Sequence, residues 1–277
     1  MKFLGVYYNQ EFIKPFNLCV SKKQEAVKKM KLNIFQKGFN YSQDGQGNRL
    51  VYHLQACNMH CPWCSNPEGM HADNPLCTAK KPMMHYTPEE IVKEAQSCQA
   101  MFFDGGGVTF TGGEPTLQFE ALEQTLSALK KEGFHTTIEC NASHPHLPNL
   151  FPLIDELIMD FKHWDDEMHK KITGINNQTV KKNIAEALHK HPNVLIRTVL
   201  VHGVNDTVTD AEHFAEFYCQ FDTSHARFEF LPYHEYGKKK WEQCGREYLV
   251  KDGYVSQEIV GQYERIYREK GLNVVRT

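Results

Sequence analysis

Short runs of apolar and β-branched residues recur along the chain, separated by longer segments whose apolar positions return every three or four residues. "RLVYHLQAC" (49–57), "GVTFTGG" (107–113), "FHTTIEC" (134–140), "IDELIMDFK" (154–162), "NVLIRTVLV" (193–201) and "ARFEFLPY" (226–233) read as strands. Residues 117–133, 165–173, 178–189 and 210–221 read as helices between them. A last helix near 257–270 precedes a short apolar strand, "NVVRT". "TPEEIVKEAQSCQAMF" begins with Thr87 as N-cap, Pro88 at the first helical position and Glu90 three residues after the cap. That is a capping box, with the proline placed where a missing N–H costs nothing.

About six βα units in series predict a parallel sheet with helical crossovers. Six units fall short of the eight of a closed barrel, so a partial barrel and an open doubly wound sheet both fit. In either, ligands gather at the carboxyl ends of the strands. The unusual residues fall there. Cysteines follow the first strand, Gly112, Gly113 and Glu114 end the second, and Glu139 ends the third. Asp160 and Lys162 end the fourth, Arg197 lies within the fifth, and His234 stands just past the sixth. Residues 1–33 precede this series as an extension with a helical stretch at 21–31, leaving 34–277 as the core domain.

Composition changes this picture little. The 277 residues are 41% hydrophobic and 23% charged, which supports a packed core. A formal charge of -3 offers no electrostatic case for nucleic acid, and "KKMK" and "GKKKW" read as solvated surface. No run of 18 apolar residues exists, so no membrane helix is expected. The start of the chain makes a poor signal peptide, which points to the cytoplasm. Nine cysteines in such a chain read as thiols and metal ligands, not as a disulfide framework.

Three of the nine stand in "CNMHCPWCSNPE", where Cys57, Cys61 and Cys64 have the spacing C-x3-C-x2-C. A tight loop of thiolates suits a soft metal: an iron–sulfur cluster, or a zinc site completed by His53 or His60. Incidental buried thiols are the third reading. A four-iron cube held by three thiolates leaves one iron without a protein ligand, able to chelate a small molecule as a catalytic zinc does. "GGGVTFTGGEP" (105–115) adds a glycine turn that permits close backbone approach to a ligand, and Glu114 offers a carboxylate for an ammonium group.

With Trp63 just before the last cysteine and Gly-Gly-Glu downstream, the chain resembles the radical S-adenosylmethionine (SAM) superfamily. "CPWCSNPE", "GGGVTFTGGEPTLQ", "DFK" and "LPYHEYGKKKW" are similar, more narrowly, to glycyl-radical-enzyme activating enzymes, over roughly residues 34–276. The resemblance implies an α/β fold, a partial (β/α)6 TIM-like barrel. It implies that Cys57, Cys61 and Cys64 hold one [4Fe–4S] cluster and that SAM binds its open iron. Gly112, Gly113 and Glu114 then match the turn that grips the methionine end. Lys162 and Arg197 match the basic residues near its carboxylate, and Asp160, Phe161 and Lys162 form the D-x-K motif, with a monovalent cation near Asp160. Trp63, Ser65 and Asn66 match the segment against the adenosine, and His234 matches a cofactor-side histidine. Glu139 stands where an aspartate is frequent and would contact SAM or the cation, and Ala56 replaces a frequent glycine, a small change.

Many relatives insert a ferredoxin-like module after the cluster loop. Here residues 65–104 contain only Cys77 and Cys98, too few for further cubes. A single cluster reduced by a flavodoxin or ferredoxin is therefore expected, with Cys19, Cys77, Cys98, Cys140, Cys219 and Cys244 as structural thiols. The implied activity is hydrogen abstraction from a glycine Cα of a partner glycyl radical enzyme by a monomeric activase, with "GKKKW" and the extension as docking elements. The alternatives are a radical SAM enzyme acting on a small molecule or peptide, and a zinc-stabilised binding module.

Overall fold

In the computed structural model, residues 30–70, 77–78 and 82–277 are described. Cys19 and nearly all of the helical stretch expected at 21–31 lie outside them. The six expected strands are present as β2 (Asn48–Leu54), β4 (Gly107–Gly112), β5 (Thr136–Cys140), β6 (Glu156–Asp160), β7 (Val194–Leu200) and β8 (Ala226–Pro232). Each pairs in parallel with the next. Most side chains of β4, β6 and β7 are buried on both faces, as parallel strands between a helical layer and a filled interior require.

Helices α1 (Pro88–Ser97), α2 (Phe119–Lys131), α3 (Asp166–Thr173), α4 (Gln178–Lys190), α5 (Val208–Tyr218), α6 (Lys238–Gln243) and α7 (Gln257–Glu269) lie between and after the strands. α1 starts on the expected capping box: the Thr87 hydroxyl accepts from the Glu90 amide at 3.3 Å, and the Glu90 carboxylate accepts from the Thr87 amide at 2.7 Å. One cavity is lined jointly by the loop after β2 and by residues of β4 through β8. The sheet therefore curls around a common interior, and the partial barrel holds in place of the open sheet.

Two strands escaped the sequence pattern. β1 (Leu32–Tyr41) runs antiparallel to β2, and β3 (Met84–Tyr86) pairs with its first residues, giving the order β3-β1-β2-β4-β5-β6-β7-β8. β1 lacks clean alternation because it carries a register shift between Ile34 and Gln36. Its first residues, Leu32 and Asn33, belong to the sheet although the sequence pattern assigns them to the extension. "NVVRT" is not a full strand. It makes one bridge, Val274 to Phe228, and is then anchored by the Glu229 carboxylate, which accepts from the Thr277 amide at 2.7 Å.

At the amino ends of the strands the loop 42–47 turns inward and closes the barrel. Arg49, wholly buried, donates to the Thr109 hydroxyl at 2.6 Å and to the carbonyls of Gln46 and Val108, both at 3.0 Å. On the other face of the sheet, toward α1, Phe110 stacks on Tyr52 with ring centroids 5.7 Å apart and no exposure, and the Tyr52 hydroxyl donates to Glu94 at 2.8 Å. Phe110→Ala should therefore cost about 3–5 kcal/mol of stability, read as a lower denaturant midpoint of the anaerobically purified protein. An unchanged midpoint would show that this layer does not carry the fold.

Candidate active site

β2 ends at Leu54 and the chain enters the cysteine loop through Ala56, which adopts φ +80°. A left-handed conformation costs a non-glycine residue about 1–2 kcal/mol, so alanine here is not the small change that its size suggests. Backbone bonds fix the loop to the next strand. The Gly113 amide donates to the Leu54 carbonyl at 2.9 Å, and the Glu114 amide to the Ala56 carbonyl at 2.7 Å. A Cβ on Gly113 would lie 2.0 Å from the Ala56 carbonyl oxygen. Only glycine permits this approach.

The cavity, about 220 Å³, is lined by the three cysteines, by Trp63, Ser65 and Asn66, by Gly112 and Gly113, and by Glu139, Asp160 and Lys162. The structure thus brings together most of the residues singled out from sequence. A larger depression of about 880 Å³ lies on the outer surface between α1 and α2, away from these groups. Burial pushes the Cys57 and Cys61 thiols up to about 12 and the Cys64 thiol up to about 11. Metal loading must therefore displace protons from all three. Amide N–H groups already point at two of the sulfurs, Met59 to Cys57 and Asn66 to Cys64, both at 3.4 Å. Such bonds stabilise thiolate bound to iron.

The buried Trp63 indole N–H, on the same cavity, finds no acceptor among the described residues. No three His, Cys, Asp or Glu side chains among those residues close around a single-ion position. The three cysteines line one cavity, and a four-iron cube takes one thiolate on each of three irons. Donor type, waiting N–H groups and the glycine cradle all fit a three-thiolate cluster with a ligand beside it.

Asp160 and Lys162 form an ion pair of 3.0 Å that is largely withdrawn from solvent. Burial opposes the charge on Lys162, yet Asp160 and the neighbouring thiols hold its pKa above the ordinary lysine range. Strand alternation sends Phe161 the other way. It is wholly buried against Phe214 and Phe217 of the helical layer and does not face the cavity.

Three further expectations are changed. The Glu114 carboxylate does not line the cavity. It is wholly buried and accepts from the Thr116 amide at 3.0 Å, the Thr116 hydroxyl and the Asn141 amide at 2.6 Å, tying the end of β4 to the end of β5. Burial lifts its pKa to about 7. Arg197 sits behind the cavity wall, clamped between Glu139 and Glu229 at 2.7 Å each, with the Gln43 carbonyl accepting at 2.6 Å. His234 lies outside the cavity lining, stacked on Tyr236 with centroids 4.0 Å apart.

Met59, Thr111, Cys140, Asn141, Val199 and Leu231 complete the lining without having been expected. Asn141 directs its amide at Asn58 (2.9 Å) and Cys57 Sγ (3.9 Å). The rule that ligands gather past carboxyl ends could have found it, since it immediately follows β5.

Comparison with known proteins agrees with this geometry. A family profile described as Radical SAM superfamily matches residues 51–217. The pyruvate formate-lyase-activating enzyme of Staphylococcus epidermidis is 34% identical over 218 residues, covering 76% of this chain and 84% of that protein. That of Staphylococcus aureus is 34% identical over 220 residues, with the same coverage. The chain belongs to the radical SAM glycyl-radical-enzyme activating family.

Among solved structures, a domain of pyruvate-formate lyase-activating enzyme from Bacteroides vulgatus superposes with a TM-score of 0.53 at 26% identity, covering 62% of this chain and 98% of that one. A radical SAM methyltransferase from Sphaerobacter thermophilus shares the fold, with a TM-score of 0.57 at 16% identity, covering 86% of this chain and 72% of the other. The activity of this activating enzyme is reductive cleavage of SAM to activate a glycyl radical enzyme.

Lys162 and Arg197 should respond differently to truncation. Arg197→Ala strands the buried Glu229 and the half-buried Glu139 and should cost about 3–5 kcal/mol of stability, read by chemical denaturation. Lys162→Ala leaves Asp160 unpaired at the cavity wall, so it should lower stability less than Arg197→Ala does while weakening SAM binding by about tenfold or more, a charge-assisted hydrogen bond being worth about 1.5–3 kcal/mol. Equal effects of the two on SAM affinity, with neither lowering stability, would refute this division.

Proposed function

We propose that this protein activates a formate-lyase-type glycyl radical enzyme, using one [4Fe–4S] cluster on Cys57, Cys61 and Cys64 and a SAM molecule seated against the Gly112–Gly113 turn. The observation that carries this reading is the placement of three free thiols on the same cavity as that turn and the Asp160–Lys162 pair. A cluster held by Cys57, Cys61 and Cys64 would supply the electron for reductive cleavage of the SAM sulfonium, the chemistry from which hydrogen abstraction at the partner's glycine Cα would follow.

The chain's own groups hold and shield the reactants. Lys162, kept charged by Asp160, meets the SAM carboxylate. The Gly112–Gly113 backbone lets the methionine end approach closely. Ser65 and Asn66, with the free indole N–H of Trp63, offer polar contacts toward the adenosine. Val199 and Leu231 supply apolar walls that keep water from a reactive intermediate. Asp160 and Glu139 line the cavity together and support a monovalent cation beside Asp160.

The electron donor is a flavodoxin or ferredoxin, because Cys98 is the one remaining free thiol described in the interval where relatives carry further clusters. Formate-lyase chemistry for the client is supported by the names of the staphylococcal relatives. Cytoplasmic location and a monomeric state complete the proposal; among the described residues no helix is long and apolar enough to cross a membrane.

Anaerobically reconstituted protein should contain about four irons per chain and cleave SAM on reduction, and Cys61→Ala should abolish cleavage while retaining the fold. Incubation with a pyruvate formate-lyase should produce a glycyl radical signal in electron paramagnetic resonance. SAM cleavage without that signal would move the assignment to another client or to a small-molecule or peptide substrate. A colourless protein with one zinc would end the cluster reading.

A further inference from the structure

The loop that follows β5 meets the cysteine loop through three polar side chains whose donors run in one direction. Asn58 Nδ2 donates to Ser143 Oγ at 2.8 Å, Ser143 Oγ donates to Asn141 Oδ1 at 2.6 Å, and Asn141 Nδ2 donates to Asn58 Oδ1 at 2.9 Å. The ring is closed. Each group gives one hydrogen and accepts one, an arrangement in which the bonds reinforce one another. The Ser143 amide also donates to Asn141 Oδ1, at 3.0 Å. A backbone N–H cannot accept, so it fixes which end of the Asn141 side chain is the oxygen. The Asn141 NH2 group therefore turns both hydrogens toward the cysteine loop. Asn58 Oδ1 takes one, and the other is left for Cys57 Sγ, 3.9 Å away.

Contacts from elsewhere in the fold hold this donor in place. The Asn141 amide donates to the buried Glu114 carboxylate at 2.6 Å. Ala142 takes φ +58°, and Ser143 folds back on the Asn141 side chain. From α4, the buried Asn183 side chain donates to the carbonyls of Ala142 and His144, both at 2.8 Å. Asn141 itself is only 6% exposed. Cys57 Sγ thus faces one N–H from its own loop, that of Met59 at 3.4 Å, and a second from the end of another strand.

We propose that Asn141, oriented by Ser143 and Asn58, donates a hydrogen bond to the Cys57 thiolate and thereby raises the reduction potential of a cluster held there. The inference rests on the three-thiolate cluster of the proposed function and adds the residue that sets how readily that cluster is reduced. Reduction takes one electron from a donor of the flavodoxin or ferredoxin class and moves no proton, so the added negative charge is shared with the thiolate ligands. Hydrogen bonds to those sulfurs are one of the protein's levers on the potential. A donor at Cys57 favours the more negative, reduced form and shifts the equilibrium toward it. The amide does this while staying neutral, which separates its role from that of the charged Lys162.

The test titrates the anaerobically reconstituted holoenzyme potentiometrically in the absence of SAM, following the electron paramagnetic resonance signal of the reduced cluster. In Asn141→Ala the ratio of reduced to oxidised cluster at a fixed potential should fall about tenfold, a shift of about 59 mV for one electron. Asn141→Leu fills the same space without a donor and should shift the ratio in the same direction, which excludes water entering the gap as the cause. Ser143→Ala opens the ring but keeps the Asn141 amide under the Ser143 backbone N–H, and should shift the ratio much less. A parent-like potential in whichever Asn141 variant retains the parent's iron content would overturn the proposal. So would an equal shift in Ser143→Ala, which would mark a general loosening of the loop. A parent without an iron–sulfur signal would refute the cluster itself, so the two failures are distinguishable.

Discussion

The site depends on one close approach of backbones. Gly113 and Ala56 meet where no side chain fits between them, and paired amides from Gly113 and Glu114 hold the cysteine loop to the end of β4. The loop could not otherwise sit over the barrel mouth, because it leaves β2 through a residue in a left-handed conformation and returns to Gly69 and Met70 by further backbone bonds. The buried Glu114 carboxylate extends the restraint to Asn141, so the ends of three adjacent strands move as one. Preorganisation of this kind is what a site handling a radical requires, since small displacements spoil both reactivity and protection.

Charge inside the barrel is allocated in two tiers. Near the mouth, Asp160 and Lys162 face the cavity with part of their hydrogen-bonding capacity in reserve. One level deeper, Arg197 is fully engaged by Glu139, Glu229 and the Gln43 carbonyl, and Glu229 also anchors Thr277. A buried ion pair is seldom a net source of stability, but losing one partner leaves an uncompensated charge. The lower tier therefore shapes the wall by holding Glu139, which also accepts from the Thr111 hydroxyl at 2.9 Å.

α6 shows how a segment with weak local preference acquires a defined place. Six residues rich in lysine would not hold a helix alone, and "GKKKW" read by itself suggests a solvated surface. Trp241 and Lys240 are instead turned onto the cluster loop. The same basic string that looks like a docking patch is, in part, a structural cover.

Much was legible in the residues alone. The six parallel strands and the helices between them, the capping box at Thr87 and the Gly-Gly turn are local patterns with periods or fixed offsets, and each stands where it was expected. Side-chain direction could be read only within a strand: alternation separates Asp160 and Lys162 from Phe161. What tertiary structure decided is which partner each polar group meets. Glu114 and Arg197 have the residue types to face a ligand, but packing across strands gives their charges to Thr116, Asn141, Glu139 and Glu229. The pairing of β3 with β1, across the whole of β2 and the cysteine loop, likewise joins positions far apart in the chain. No local period records such contacts, because they are set by how the sheet curls.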